Sequence, residues 1–161
     1  KKIYKMKKFI TTLVIILILS SQLLATEISG IPSISDGDTI KIFNKRIRLH
    51  GIDTPEKKQI CIKNSKEYNC GKEATTALIK KINGKKVVCK VQDKLDRYKR
   101  YIGVCFAGKI NLNKWMVRSG YAVAYRRYSK DYIKDENFAK RNKLGLWSGS
   151  FIDPEKWRKL N

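Results

Sequence analysis

The stretch Arg46-Ile-Arg-Leu-His-Gly-Ile-Asp-Thr-Pro-Glu56 leaves this chain few choices of local structure. Its alternation puts Ile47 and Leu49 on one face and Arg48 and His50 on the other, the period of a half-buried strand. Gly51 then loosens the backbone, and Pro55 ends the strand by removing an amide donor and fixing φ. Arg48, Asp53 and Glu56 are thereby crowded at the strand exit. A cation and two carboxylates at a rigid exit suit the handling of phosphate. A charged strand end with a proline turn is the alternative this stretch leaves open.

The remaining composition narrows the choice. At 161 residues and 42% hydrophobic the chain has enough apolar material for one core, and no internal repeat is visible. Its net charge is +22, and the five lysines of residues 1–25 account for only part of it, leaving +17 on residues 26–161. Such a field attracts polyanions, nucleic acid or an anionic membrane surface, and repels basic partners. Lysines outnumber arginines 27 to 9, which suits a broad attraction to phosphate better than base-specific reading.

Residues 1–25 have the pattern of an export signal: Lys7 and Lys8, an apolar run from Phe9 to Leu19, then a cleavage site expected after Ala25. The run is short for a span of about 20 residues, though an uncleaved anchor is the alternative. Export fits the cysteines. Cys61, Cys70, Cys89 and Cys105 all follow the signal, and their even number suggests two disulfides. Of three pairings, Cys61–Cys70 across a loop and Cys89–Cys105 across two strands are favoured; free buried thiols are the alternative. No Cys-x-x-Cys pair supports a zinc site.

In chain order, residues 27–35 read as an edge strand, Asp36-Gly-Asp-Thr39 as a turn, and residues 38–52 as a hairpin that returns Asp36 and Asp38 beside Asp53. Residues 57–70 read as a lysine-rich loop, and 71–82 as a helix stopped at Asn83-Gly84. Strands follow at 85–91 and 101–106. A helix capped by Asn111 should turn Leu112, Trp115, Met116 and Ser119 inward, and another should run from Asp131 to Lys143. Trp147 and Trp157 flank a tail in which Pro154 opposes a helix; both read as packing residues. Five strands with about three helices predict an α+β fold, a small OB-type barrel with helices packed against it.

Asp36-Gly-Asp-Thr39, Arg48-Leu-His-Gly-Ile-Asp-Thr-Pro-Glu56 and Asp96-Arg-Tyr-Lys-Arg100, in that order and spacing, closely resemble the staphylococcal nuclease (thermonuclease) family. The likeness continues through Leu112-Asn-Lys-Trp-Met-Val-Arg-Ser-Gly-Tyr-Ala122 to Gly145-Leu-Trp147, covering roughly residues 30–148. The resemblance implies a nuclease domain over 26–148 followed by a tail over 149–161. It implies an OB-fold enzyme that uses calcium to cleave DNA and RNA, leaving 3′-phosphate ends. Asp38 and Asp53 would bind the metal with the Thr54 carbonyl. Glu56 would orient or deprotonate the attacking water, and Arg48 and Arg100 would grip the scissile phosphate. Tyr98 and Tyr128 match positions where aromatic side chains contact a base, and Lys99 joins them as a nucleic-acid contact. The expected protein is an exported monomer, secreted or periplasmic, without an obligate protein partner and touching a membrane only through an uncleaved signal.

The chemistry suits these residue types. Calcium takes hard oxygen ligands, so carboxylates and a carbonyl serve without His or Cys. A phosphodiester repels nucleophiles, and guanidiniums offset that charge in the transition state. His50, the only histidine, reads as a bystander. Two departures stand out: Lys99 occupies a position where the family usually has glycine, and Arg126 one where a further tyrosine is often found. The competing readings are a non-catalytic OB-fold binding module and a cationic membrane-surface protein. The second leaves the acidic cluster unexplained.

Overall fold

A computed structural model describes residues 26–161; the expected export segment 1–25 lies outside the described residues. The strands begin with β1 (Thr26–Gly30), β2 (Ser33–Asp36), β3 (Thr39–Ile42), β4 (Lys45–Leu49) and β5 (Ile52–Asp53). A hairpin, β6 (Ile60–Lys63) and β7 (Lys66–Asn69), leads into helix α1 (Cys70–Ile82). Then come β8 (Val87–Val91), β9 (Tyr101–Ala107), β10 (Ile110–Asn111), α2 (Leu112–Arg118) and β11 (Val123–Ala124). Helix α3 (Ile133–Arg141), a 3-10 turn (Gly145–Ser148) and α4 (Pro154–Leu160) complete the order.

The principal sheet runs β1-β8-β9-β4-β3-β2, with β10 added to β9. All neighbours are antiparallel except β4 and β9, which pair in parallel with Arg48 opposite Ile102. The sheet curls into a half-barrel with helices against it, the α+β arrangement of an OB-type domain. Its seven strands exceed the five expected because the first segment divides at Pro32, β1 pairing with β8 and β2 with β3, and because the short β10 adds to β9. Proline has no amide to donate, so the ladder is interrupted there.

Alternation along β4 works as the sequence implies. Ile47 and Leu49 are fully buried, while Arg48 keeps some exposure at the site edge. They join Ile40, Ile42, Val87, Cys89 and Cys105 from the sheet, and Ala74, Leu78, Leu112, Met116 and Val117 from α1 and α2. Each fully buried Leu, Ile, Val or Met contributes about 1.5–3 kcal/mol relative to exposure. Helix α1 is capped at one end by the Asn69 side chain, which accepts the Lys72 amide at 2.7 Å. It closes at the other with Asn83 in the left-handed conformation. Among the described residues no helix is long and apolar enough to cross a membrane.

Three local expectations are corrected. The loop expected over 57–70 contains the β6–β7 hairpin, because Asn64 and Ser65 both take positive φ, 51° and 60°, as a two-residue mirror-image turn requires. On α2 the buried side chains are Leu112, Asn113, Met116 and Val117, with Trp115 half-buried against Tyr121. Asn113 turns inward because its amide accepts from Cys105 N at 3.0 Å and donates to the His50 carbonyl at 2.9 Å. In the tail, Pro154 starts a helix rather than opposing one. The first helical position has no intrahelical use for an amide, and Asp153 caps it by accepting from Glu155 N at 3.0 Å.

Disulfides join Cys61 to Cys70 and Cys89 to Cys105, the two pairings favoured from the sequence. The first ties β6 to the start of α1, and the second links facing residues of β8 and β9 with Cα atoms 4.0 Å apart.

Candidate functional site

The β3–β4 register sets Thr39 opposite Arg48, and so brings Asp38, at the head of β3, to the exit of β4. Arg48 Nη1 pairs with Asp38, while Nη2 lies 2.8 Å from Asp53 Oδ1 and donates to the Ile52 carbonyl at 3.1 Å. Burial holds the Arg48 guanidinium below its ordinary pKa, against the opposing pull of Asp53. Asp38 and Asp53 are buried at 5% and 0% exposure, so both carboxylates need partners. Asp38 Oδ2 accepts the Thr54 amide and hydroxyl, each at 3.0 Å. Asp36 stands apart: its carboxylate accepts the Asp38 amide at 3.1 Å and stabilises the turn.

Two glycines make the exit geometry accessible. Gly51 takes φ +74° between β4 and β5, a conformation costly for other residues. Gly71, at the start of α1, lies so close to the Glu56 carbonyl that a Cβ would collide with it. Glu56 is held further by its amide donating to Gln59 Oε1 at 3.1 Å. Buried Pro55 stiffens the approach from Asp53 to Glu56.

Arg100 reaches the same region from the β8–β9 connection. Asp96 folds this loop by accepting the Tyr98 and Arg100 amides, each at 2.9 Å, and Arg100 Nε at 2.8 Å. Burial pushes the Asp96 carboxyl up, but the Arg100 bonds outweigh it and hold the group below its usual range. Lys99 sits at φ +58°, so the backbone keeps the glycine-like conformation although the residue is lysine. Arg100 Nη1 reaches Thr39 Oγ1 at 3.4 Å, and that hydroxyl donates to Asp38 at 3.2 Å. Arg100 is therefore linked through Thr39 to the Asp38–Arg48 pair.

The aromatic candidates lie further out. Tyr98 is exposed, with Arg100 5.1 Å from its ring centre. Tyr128 is also exposed and packs edge-on against Tyr125 at 4.8 Å. Neither has a contact with Asp38 or Asp53 among those described. Lys99 is exposed beside Tyr98.

Among the described residues no group of three or more His, Cys, Asp or Glu side chains is gathered as a metal cage. Asp38 and Asp53 nevertheless converge on one guanidinium, so two buried carboxylates already share a cation. Their carboxylate oxygens are donors of the hard type that an ion such as calcium takes.

A model of the family described as staphylococcal nuclease homologue matches residues 46–149. The chain belongs to this family. It is 34% identical over 162 residues to an uncharacterized endonuclease of Escherichia coli O157:H7, covering 95% of this chain and 98% of that protein. It is 36% identical over 127 residues to a succinoglycan biosynthesis protein, ExoI, of Rhizobium meliloti, spanning 76% of this chain and 66% of that one. Staphylococcal-like nuclease CAN1 of Arabidopsis thaliana is 38% identical over 119 residues, 71% of this chain but 33% of the plant protein.

The staphylococcal nuclease match contains Arg48, Asp53, Thr54, Glu56 and Arg100, while Asp38 precedes it and α4 follows it. Sequence reasoning missed two residues here. Glu136 on α3 is buried at 1% exposure and accepts from Arg126, Lys140 and the Ala124 amide. Arg126, the departure noted above, is thus the cation of a structural pair that joins α3 to β11. Arg158 on α4 binds Asp53 through both carboxylate oxygens, at 3.0 and 2.8 Å, and Glu56 at 2.8 Å. Burial lowers the Arg158 pKa, but its bonds to Asp53 and Glu56 outweigh this and raise it. No motif spacing pointed to Arg158, because 105 residues separate it from Asp53.

Proposed function

We propose that this member of a nuclease family, a phosphodiesterase, is exported and uses calcium to hydrolyse DNA and RNA to 3′-phosphate ends. The observation that carries the reading is the convergence of Asp38 and Asp53 on Arg48, with Thr54 fastened to Asp38. Asp38, Asp53 and the Thr54 carbonyl would hold calcium, which when bound supplies positive charge against the phosphate oxygens. Arg48 and Arg100 would turn their forks to the scissile phosphate and stabilise the charge that grows in the transition state. Glu56 would orient the attacking water and accept its proton. Tyr98 and Tyr128 would offer exposed faces to bases, and Lys99 a charge to the backbone.

Export is supported by the two disulfides, which persist in oxidising compartments. Residues 26–148 would form the nuclease unit, and 149–161 would be an appended segment. The deciding experiment incubates the purified protein with DNA and RNA, in calcium or in chelator. Calcium-dependent digestion with 3′-phosphate ends is expected. Binding without digestion would assign the chain instead to the non-catalytic modules built on this barrel. In the same assay Glu56→Gln should lower kcat by about 10²–10⁴-fold with DNA affinity unchanged.

A further inference from the structure

The C-terminal segment follows the family match, yet it is fastened to the site at several points. Ile62 and Ser150 form a backbone bridge, with Ile62 N to Ser150 O at 2.9 Å. Gln59 Nε2 donates to the Ile152 carbonyl at 2.6 Å, and Gln59 Oε1 is the acceptor of the Glu56 amide. Pro154 is buried, and Glu155 pairs with Arg127 at 3.2 Å. These contacts hold α4 so that Arg158 lies across Asp53 and Glu56.

Both oxygens of Asp53 are then engaged by guanidinium. Oδ1 accepts from Arg48 and Arg158, and Oδ2 accepts from Arg158. The sole side-chain partner of Glu56 among the described contacts is Arg158. Arg158 thus neutralises, from outside the matched domain, the carboxylates through which a cation and water would be handled. A divalent ion on Asp53 would meet a fixed positive charge within a few ångströms, and the two would compete for the same lone pairs.

We infer that Arg158 is a built-in competitor of the metal ion: α4 holds its guanidinium on Asp53 and Glu56, and divalent-cation binding requires its displacement. This rests on the calcium reading above. The anchors of α4 do not involve Arg158, so only the side chain has to swing away. The device raises the calcium concentration at which the site loads, and in the ion-free protein it gives Glu56 and the second oxygen of Asp53 a cationic partner.

The test is calcium titration by calorimetry on the parent, on Arg158→Ala, and on Arg158→Gln, which keeps part of the stem and a neutral amide donor but neither the reach nor the charge. Both variants should bind calcium about tenfold or more tightly than the parent. Thermal unfolding supplies an independent reading: without calcium the variants should melt lower than the parent, and added calcium should raise their Tm by more. Should Arg158→Ala fail to fold, Arg158→Gln decides the matter alone. Equal or weaker calcium binding by the folded variant overturns the competition and leaves the calcium reading standing. Absence of calcium binding in parent and variants alike overturns the calcium reading and the competition with it.

Discussion

Arg48 and Asp53 meet at 2.8 Å at the exit of β4, and the same guanidinium holds Asp38 from the neighbouring strand. A planar fork that holds two carboxylates and a carbonyl at once cannot be replaced by a single ammonium. Arg48→Ala should lose about 10²–10³-fold in kcat, roughly 2.7–4 kcal/mol of transition-state stabilisation. Arg48→Lys should recover little of it. Steady-state cleavage of duplex DNA at saturating calcium measures both. Activity within twofold of the parent in Arg48→Ala would remove Arg48 from the catalytic set.

Lys99 at φ +58° carries the strain that glycine would avoid. Left-handed backbone costs an L-residue about 1–2 kcal/mol, whereas glycine loses about 0.4–1 kcal/mol through its freer unfolded chain. Lys99→Gly should therefore leave stability within about 1 kcal/mol of the parent. Lys99→Val should cost more than that and, by displacing Arg100, reduce turnover as well. Urea unfolding alongside kcat separates the two effects. Unchanged turnover in a folded Lys99→Val protein would break the link between this backbone turn and Arg100.

The Cys89–Cys105 bridge lies wholly inside the core between β8 and β9. Changing both cysteines to alanine should lower unfolding free energy by about 2–4 kcal/mol. The measurement is chemical denaturation of the folded variant beside the parent, without reductant. A variant as stable as the oxidised parent would show that the bridge adds nothing to the packing around it.

Glu136 yields the acid-side prediction. Burial pushes its carboxyl up, but the bonds from Arg126, Lys140 and the Ala124 amide outweigh this and hold it below its usual range. A folded-state pKa below the unfolded one contributes stability that is full above the unfolded value, about 4.3. That contribution is lost as pH falls through the lower folded value. Glu136→Gln should flatten the acid limb of stability against pH. Glu136→Ala, which strands the buried Ala124 amide, should cost about 1–3 kcal/mol at neutral pH. Urea midpoints between pH 3 and pH 7 test this, and an acid limb unchanged in Glu136→Gln would refute the assignment.

Local chemistry is what made much of the fold legible. Period-two alternation identified β4, an Asn side chain capped α2, and Asn83-Gly84 closed α1, each by contacts within a few residues. The misses share a physical origin. Asn64-Ser65 made a hairpin in a stretch that read as loop, because lysines concealed the strand pattern on either side. Asn113 was buried against its polarity, since only the folded sheet presents the Cys105 amide and the His50 and Gly103 carbonyls to satisfy it.

By itself the sequence determined the motif: a strand whose alternation buries Ile47 and Leu49, a glycine–proline exit, and carboxylates spaced to crowd Arg48. Those features depend on backbone preferences and on short-range side-chain order, which neighbouring residues impose. Only the tertiary structure decided that Asp38 and Asp53 share one guanidinium, because that depends on the β3–β4 register. It also decided that the tail is part of the site. The energy that places Arg158 on Asp53 is electrostatic and local in space, but the contact depends on a tail that docks against the β6–β7 hairpin through the Ile62–Ser150 bridge. No spacing in the chain encodes that approach.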